Sequence, residues 1–142
     1  MAALPSGLAE QVADEESLAR FLTSSNQYNN SVVKPRAFLP RPGTCEASVF
    51  RHGPTPEPDL WRLGDAHVGA ARSIKGVAII VARNVRSAVL DVLSDEPPKR
   101  HANITGWEQA PDNPEWTKTR QIQQAQSLAQ KAQLIHKPAK LD

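Results

Sequence analysis

The sequence predicts an α+β domain, a small and mostly antiparallel sheet of four or five strands with helices packed on it, one of them at the C-terminus. Three observations carry this. Short apolar segments punctuated by proline run from Val32 to Arg51, residues 77–82 are apolar without alternation, and helical spacing is kept from Ile122 to Ile135.

Taken in order, residues 1–13 are Ala-rich with Pro5 and Gly7 and are expected to form a flexible lead, so that a single domain runs over 14–142. Asp14 is placed to cap the amides of Glu16 and Ser17, and Leu18, Phe21 and Leu22 recur at helical spacing, which predicts a helix over about 15–23. Residues 23–31 are polar around Tyr28, a loop that is either mobile or functional. Val32-Val33, Ala37-Phe38-Leu39 and 47–51 read as strands, the last two as an antiparallel pair. Along 47–52, Ala47, Val49 and Arg51 share one face and Ser48, Phe50 and His52 the other, so one of Arg51 and His52 belongs near the buried side. The prolines of 53–58 predict an extended connection.

Asp59 opens a second helix on Leu60, Trp61, Leu63 and Val68, weakened toward its end by Gly64, Gly69 and Ala70-Ala71. Residues 76–82 read as the central strand, covered by other layers. A short helix over 84–89 and a strand over 90–94 follow, stopped by Pro97-Pro98. Residues 101–107 alternate as a strand, with Ala102, Ile104 and Gly106 on one face and His101, Asn103, Thr105 and Trp107 on the other. The last helix carries Ile122, Ala125, Leu128, Ala129, Ala132 and Ile135 in one stripe that packs on the domain's own sheet.

The length of 142 residues fits one domain. One cysteine, Cys45, allows neither an internal disulfide nor a Cys-based metal cluster. The longest apolar run falls far short of the roughly 20 residues a membrane helix needs, and the N-terminus lacks a basic flank, so a cytoplasmic protein with no membrane partner is expected. His52, His67, His101 and His136 have no metal-binding spacing, no Gly-rich phosphate loop is present, and Gly-x-Ser-x-Gly does not occur. No metal and no cofactor are implied. The net charge is +2, with acids in the first sixteen residues and bases concentrated in the middle and at the end. That dipolar arrangement suits a phosphate-bearing or acidic partner.

The most informative stretch is 97–107, where His101 stands among Lys99, Arg100, Thr105 and Trp107 directly after a double proline. The pattern Pro35-Arg36-Ala37-Phe38-Leu39-Pro40, Ser48-Val49-Phe50-Arg51 and His101-Ala102-Asn103-Ile104-Thr105-Gly106-Trp107 resembles a family of small bacterial proteins of unassigned function, over about residues 15–135. The resemblance implies a bacterial intracellular protein and no particular activity.

Two functions follow from the residues. The first is an accessory or regulatory protein, alone or within a larger complex, that binds a protein or nucleic-acid partner through Arg36, Arg41, Lys99, Arg100, Trp107 and Trp116. The second is a metal-independent ribonuclease toxin, with His101 in proton transfer, Arg51 as phosphate clamp and His52 as partner base or acid. Both require Arg51 and the 99–101 cluster to meet on an open surface.

Overall fold

The computed structural model describes residues 4–52, 58–68 and 73–138. Of the extended connection expected over 53–58, residues 53–57 lie outside them and Pro58 opens a helix; the helix end at Gly69 to Ala71 and the last basic residue Lys140 also lie outside. The chain runs β1 (Ser17–Leu22), β2 (Tyr28–Asn29), β3 (Val32–Val33), a 3-10 helix (Pro35–Phe38), β4 (Ala47–His52), α1 (Pro58–Val68), β5 (Gly76–Val81), α2 (Ala82–Ser87), β6 (Asp91–Ser94), β7 (His101–Thr105), α3 (Pro114–Lys131) and β8 (Gln133–His136). Among the described residues six strands form one sheet in the order β6-β7-β4-β1-β5-β8, every pairing there antiparallel, and β2 and β3 make a separate hairpin. The architecture is α+β, with six strands in the sheet where four or five were expected.

The segment expected as a helix over 15–23 is instead β1, one of the two middle strands of the sheet. Both faces of a middle strand are covered, so Leu18 and Leu22 enter one core while Ala19 and Phe21 enter another. Apolar residues on both parities of a strand imitate helical spacing, which explains the misreading. Strand β5 was expected at the centre and lies one place from the edge. Residues 35–38 form a 3-10 helix, not a strand, with Pro35 fixing φ at its first position. The pairing expected between 37–39 and 47–51 is absent, since β4 pairs with β1 and β7. The terminal helix stops at Lys131, and Ile135 belongs to β8. Asn113 caps α3 by accepting from the Trp116 amide at 3.1 Å, and Pro114 occupies the first turn.

Helix α3, the 3-10 helix and α2 cover one face of the sheet, where Phe38, Leu18, Val49, Ile104 and Leu128 are buried. Helix α1 lies on the other, with Leu60 and Trp61 against Ala19, Phe50, Val77 and Ile79. Each buried Leu, Val, Ile or Phe among these contributes about 1.5–3 kcal/mol. The segment expected to be a flexible lead is tied to this framework over its described part. Ser6 donates its amide and hydroxyl to Glu96 at 3.0 and 2.6 Å, Val12 is buried, and the Ala9 and Gln11 carbonyls accept from Arg51. Among the described residues no helix is long and apolar enough to cross a membrane.

Candidate functional site

Helix α1 covers only the β1–β5 side of its face of the sheet. Phe50 marks the limit of that apolar cover. Beyond it, the same face of β4 and β7 carries Ser48, His101 and Asn103, because Phe50 pairs with His101 and Ser48 with Asn103 in the β4–β7 register. The result is a polar cleft in two connected lobes that share Arg20, Arg41, Ser48 and His101, the larger of about 550 Å³. The Phe50 ring forms part of its floor. His101 meets that ring edge-on at 5.3 Å between centroids, and His67, from the last turn of α1, stacks on it at 5.5 Å.

Arg20 is the half-buried cation of the cleft. The β1–β4 pairing runs from Ser17–His52 to Ala19–Phe50, and the guanidinium of the next residue takes over where it stops. Arg20 Nη1 donates to the Ser48 carbonyl at 2.7 Å and Nε to the Ala37 carbonyl at 2.8 Å. Backbone carbonyls left over at a strand fork need donors, and a planar five-donor group supplies two at once. Both partners are neutral. Nη2 makes no hydrogen bond among the described residues, and no buried polar side-chain atom there is sealed away without a partner, so Nη2 opens onto the cleft. Burial, with the like charge of Arg41, pushes the Arg20 pKa down to about 10. Glu46 and Asp95 also line the smaller lobe, yet neither makes an ion pair with Arg20 or Arg41 among the described residues.

His101 is held from both sides. Its Nε2 is 2.6 Å from Ser48 Oγ and its Nδ1 2.8 Å from the Asp95 carbonyl oxygen, with a carboxylate oxygen of Asp95 at 3.5 Å. Asn103 Nδ2 donates to the same carboxylate at 2.9 Å. The turn that delivers His101 contains cis peptides before Pro97 and Pro98, and Arg100 adopts a left-handed φ of 72°. No protein-family model, curated protein or solved structure matches this chain. The site therefore stands on its own geometry.

That geometry separates the residues singled out from the sequence. Arg51 is 2% exposed and lies on the face of β4 shared with Ala47 and Val49, opposite His101. Its Nε and Nη2 each donate to one Glu16 carboxylate oxygen at 2.8 Å, and its Nη1 to Ser94 Oγ and the Ala9 carbonyl. Arg51 is thus the member of the Arg51–His52 pair that turns to the buried side, and it has no donor left for a phosphate. The shared surface of Arg51 and residues 99–101, on which both sequence-based functions depended, does not form. His52 closes β4 opposite Ser17 and is not among the described residues lining the cleft. Trp107 is 4% exposed and donates Nε1 to the Ile104 carbonyl at 3.0 Å, so it is core and not a partner anchor. Trp116 is 43% exposed on the first turn of α3.

Of the cations, Arg41 lines the cleft, while Lys99 and Arg100 are exposed between Pro98, a lining residue, and His101. Arg36 faces elsewhere. It borders a separate, more apolar groove of about 380 Å³ between the 3-10 helix and α3, lined by Leu39, Pro40, Pro111, Pro114 and Ile122. That groove holds no imidazole and no carboxylate. Arg20, Ser48, Asp95 and His67 were missed as site residues. Ser48 and His101 carried a signal, since each occupies the polar parity of an otherwise buried strand. Arg20 was hidden by the helical reading of β1.

Proposed function

We propose that the protein binds a phosphate-bearing macromolecular partner, a nucleic acid, through the Arg20–Arg41–His101 cleft, and acts as an accessory or regulatory component in doing so. The observation that carries this reading is the state of Arg20, whose guanidinium is bonded only to neutral carbonyls while its charged neighbour is Arg41. Two cations line one cleft, the half-buried one making no ion pair with the Glu46 or Asp95 carboxylates there, and an anion that accepts from both stabilises them. A phosphate oxygen suits the open Nη2 of Arg20 and the exposed Arg41 together. Lys99 and Arg100 beside the rim extend the positive surface along a backbone. The ribonuclease reading that used Arg51 as clamp has no support, because that residue is paired behind the sheet.

The test is binding of a fluorescent RNA oligonucleotide by anisotropy across a salt series. The wild-type protein binds with log K falling linearly in log salt, and Arg41→Ala weakens binding and flattens the slope by about 0.7–0.9 for the lost phosphate contact. Salt-independent binding, no binding at low salt, or an unchanged slope in Arg41→Ala overturns the reading.

A further inference from the structure

The bonds around His101 also fix a proton arrangement. The Asp95 carbonyl oxygen can only accept, so in the neutral ring Nδ1 carries the hydrogen and Nε2 is left with its lone pair. The hydrogen bond at 2.6 Å then runs from Ser48 Oγ–H to Nε2. This is the tautomer in which an imidazole takes a hydroxyl proton, with Asp95 in the orienting position on the far side of the ring. The absence of a Gly-x-Ser-x-Gly turn does not bear on it, because β4 itself turns Ser48 into the cleft. Arg20, bonded to the Ser48 carbonyl and with Nη2 open, lines the same cleft.

We infer that Ser48 is a nucleophile activated by His101, and that the cleft hydrolyses a carboxylic ester carried by an anionic substrate. The anionic character of the substrate rests on the phosphate-binding reading above, whereas the activation of Ser48 rests on the His101 geometry alone. Ser48 Oγ attacks the ester carbonyl carbon as its proton passes to His101 Nε2, and the carbonyl π pair moves onto oxygen. The oxyanion forms beside the Arg20 guanidinium, which stabilises it. Collapse breaks the bond from the acyl carbon to the alkoxy oxygen, and His101 returns its proton to the departing alkoxide, leaving acyl-Ser48 and a free alcohol. Water then attacks the acyl carbon while His101 takes one of its protons. Breaking the Oγ–acyl bond releases the carboxylic acid, and the proton goes back to Ser48.

The test is labelling of the full chain with an uncharged alkyl fluorophosphonate, the adduct being located by peptide mass spectrometry. The expected result is one adduct on the peptide containing Ser48, absent in Ser48→Ala and slower by a factor of at least about 100 in His101→Gln, the lower end of what a positioned base supplies. Wild-type protein unfolded in urea supplies a comparison that does not depend on either variant folding, and its Ser48 stays unlabelled. No adduct at Ser48 in the folded protein, equal labelling after unfolding, or an undiminished rate in His101→Gln overturns the inference. An adduct at Ser48 together with unchanged RNA binding in Arg41→Ala would overturn the phosphate reading and leave the nucleophile standing.

Discussion

Arg51 and Glu16 face each other as a two-pronged ion pair, each carboxylate oxygen accepting one guanidinium N–H at 2.8 Å, with the arginine fully enclosed. The same guanidinium pins the N-terminal segment through the Ala9 and Gln11 carbonyls. Removing one partner of a fully buried pair costs about 3–5 kcal/mol, and because the Glu16 side chain is 25% exposed the lower end applies here. Arg51→Ala is therefore expected to lose stability of that order in urea unfolding, and Arg51→Lys to recover little of it, since an ammonium cannot reproduce the fork. A loss in Arg51→Ala within experimental error of zero would contradict a structural role.

Acid should weaken the fold through Glu16. Burial raises its pKa, but hydrogen bonds from Arg51 and the Ala13 amide, with the charges of Arg51 and Arg86, outweigh that and hold it below the ordinary 4.5. A carboxyl lowered on folding contributes stability that is complete above its unfolded value and is lost as pH falls through the folded one. Glu96, lowered against its burial by two bonds from Ser6, acts in the same direction. Stability measured by urea unfolding should fall from about pH 5 downward, and more shallowly in Glu16→Gln. Equal slopes for wild type and Glu16→Gln would show that the pair carries none of the dependence.

The tryptophans divide sharply. Trp107→Ala removes a 4% exposed indole and its bond to Ile104, and should cost about 3–5 kcal/mol. Trp116→Ala, at a 43% exposed position, should change stability by no more than about 0.5 kcal/mol. Thermal unfolding of the two variants distinguishes them, and comparable losses would contradict the burial assignment.

Gly76 lets β8 approach β5. A Cβ there would stand 2.6 Å from the Ile135 carbonyl oxygen, a backbone atom that cannot move without shifting the strand. Gly76→Ala should cost about 1–3 kcal/mol through overpacking. Hydrogen exchange should speed up in 133–136 first, and unaltered protection there would show that the strand accommodates the methyl.

The sequence made some of this legible for physical reasons. Alternation along 47–52 and 101–105 assigned Ser48 and His101 to polar parities of their strands, and β4 and β7 keep that alternation. The apolar stripe of Ala125, Leu128 and Ala129 is a local periodicity, so the body of α3 was readable too, whereas its start at Pro114 was not. What failed was non-local. Middle-strand burial on both faces disguised β1 as a helix and hid Arg20 with it. The order of strands decides that Arg51 and His101 are neighbours back to back across the sheet, and nothing within either segment encodes it. Likewise the bond between Ser48 and His101 spans two strands whose pairing no motif announces.

Strand β1 lies between β4 and β5, both of which follow it in the chain by long intervals. During translation, at about 5–20 residues per second, the chain spends roughly 1.5–6 s with a largely apolar strand made and both its flanks unpaired, and one flank stays open until β5 follows. Such flanks recruit other strands indiscriminately. The emerging polypeptide is therefore most prone to self-association before β5 leaves the ribosome, and a slow codon run upstream of β5 would lengthen that exposure.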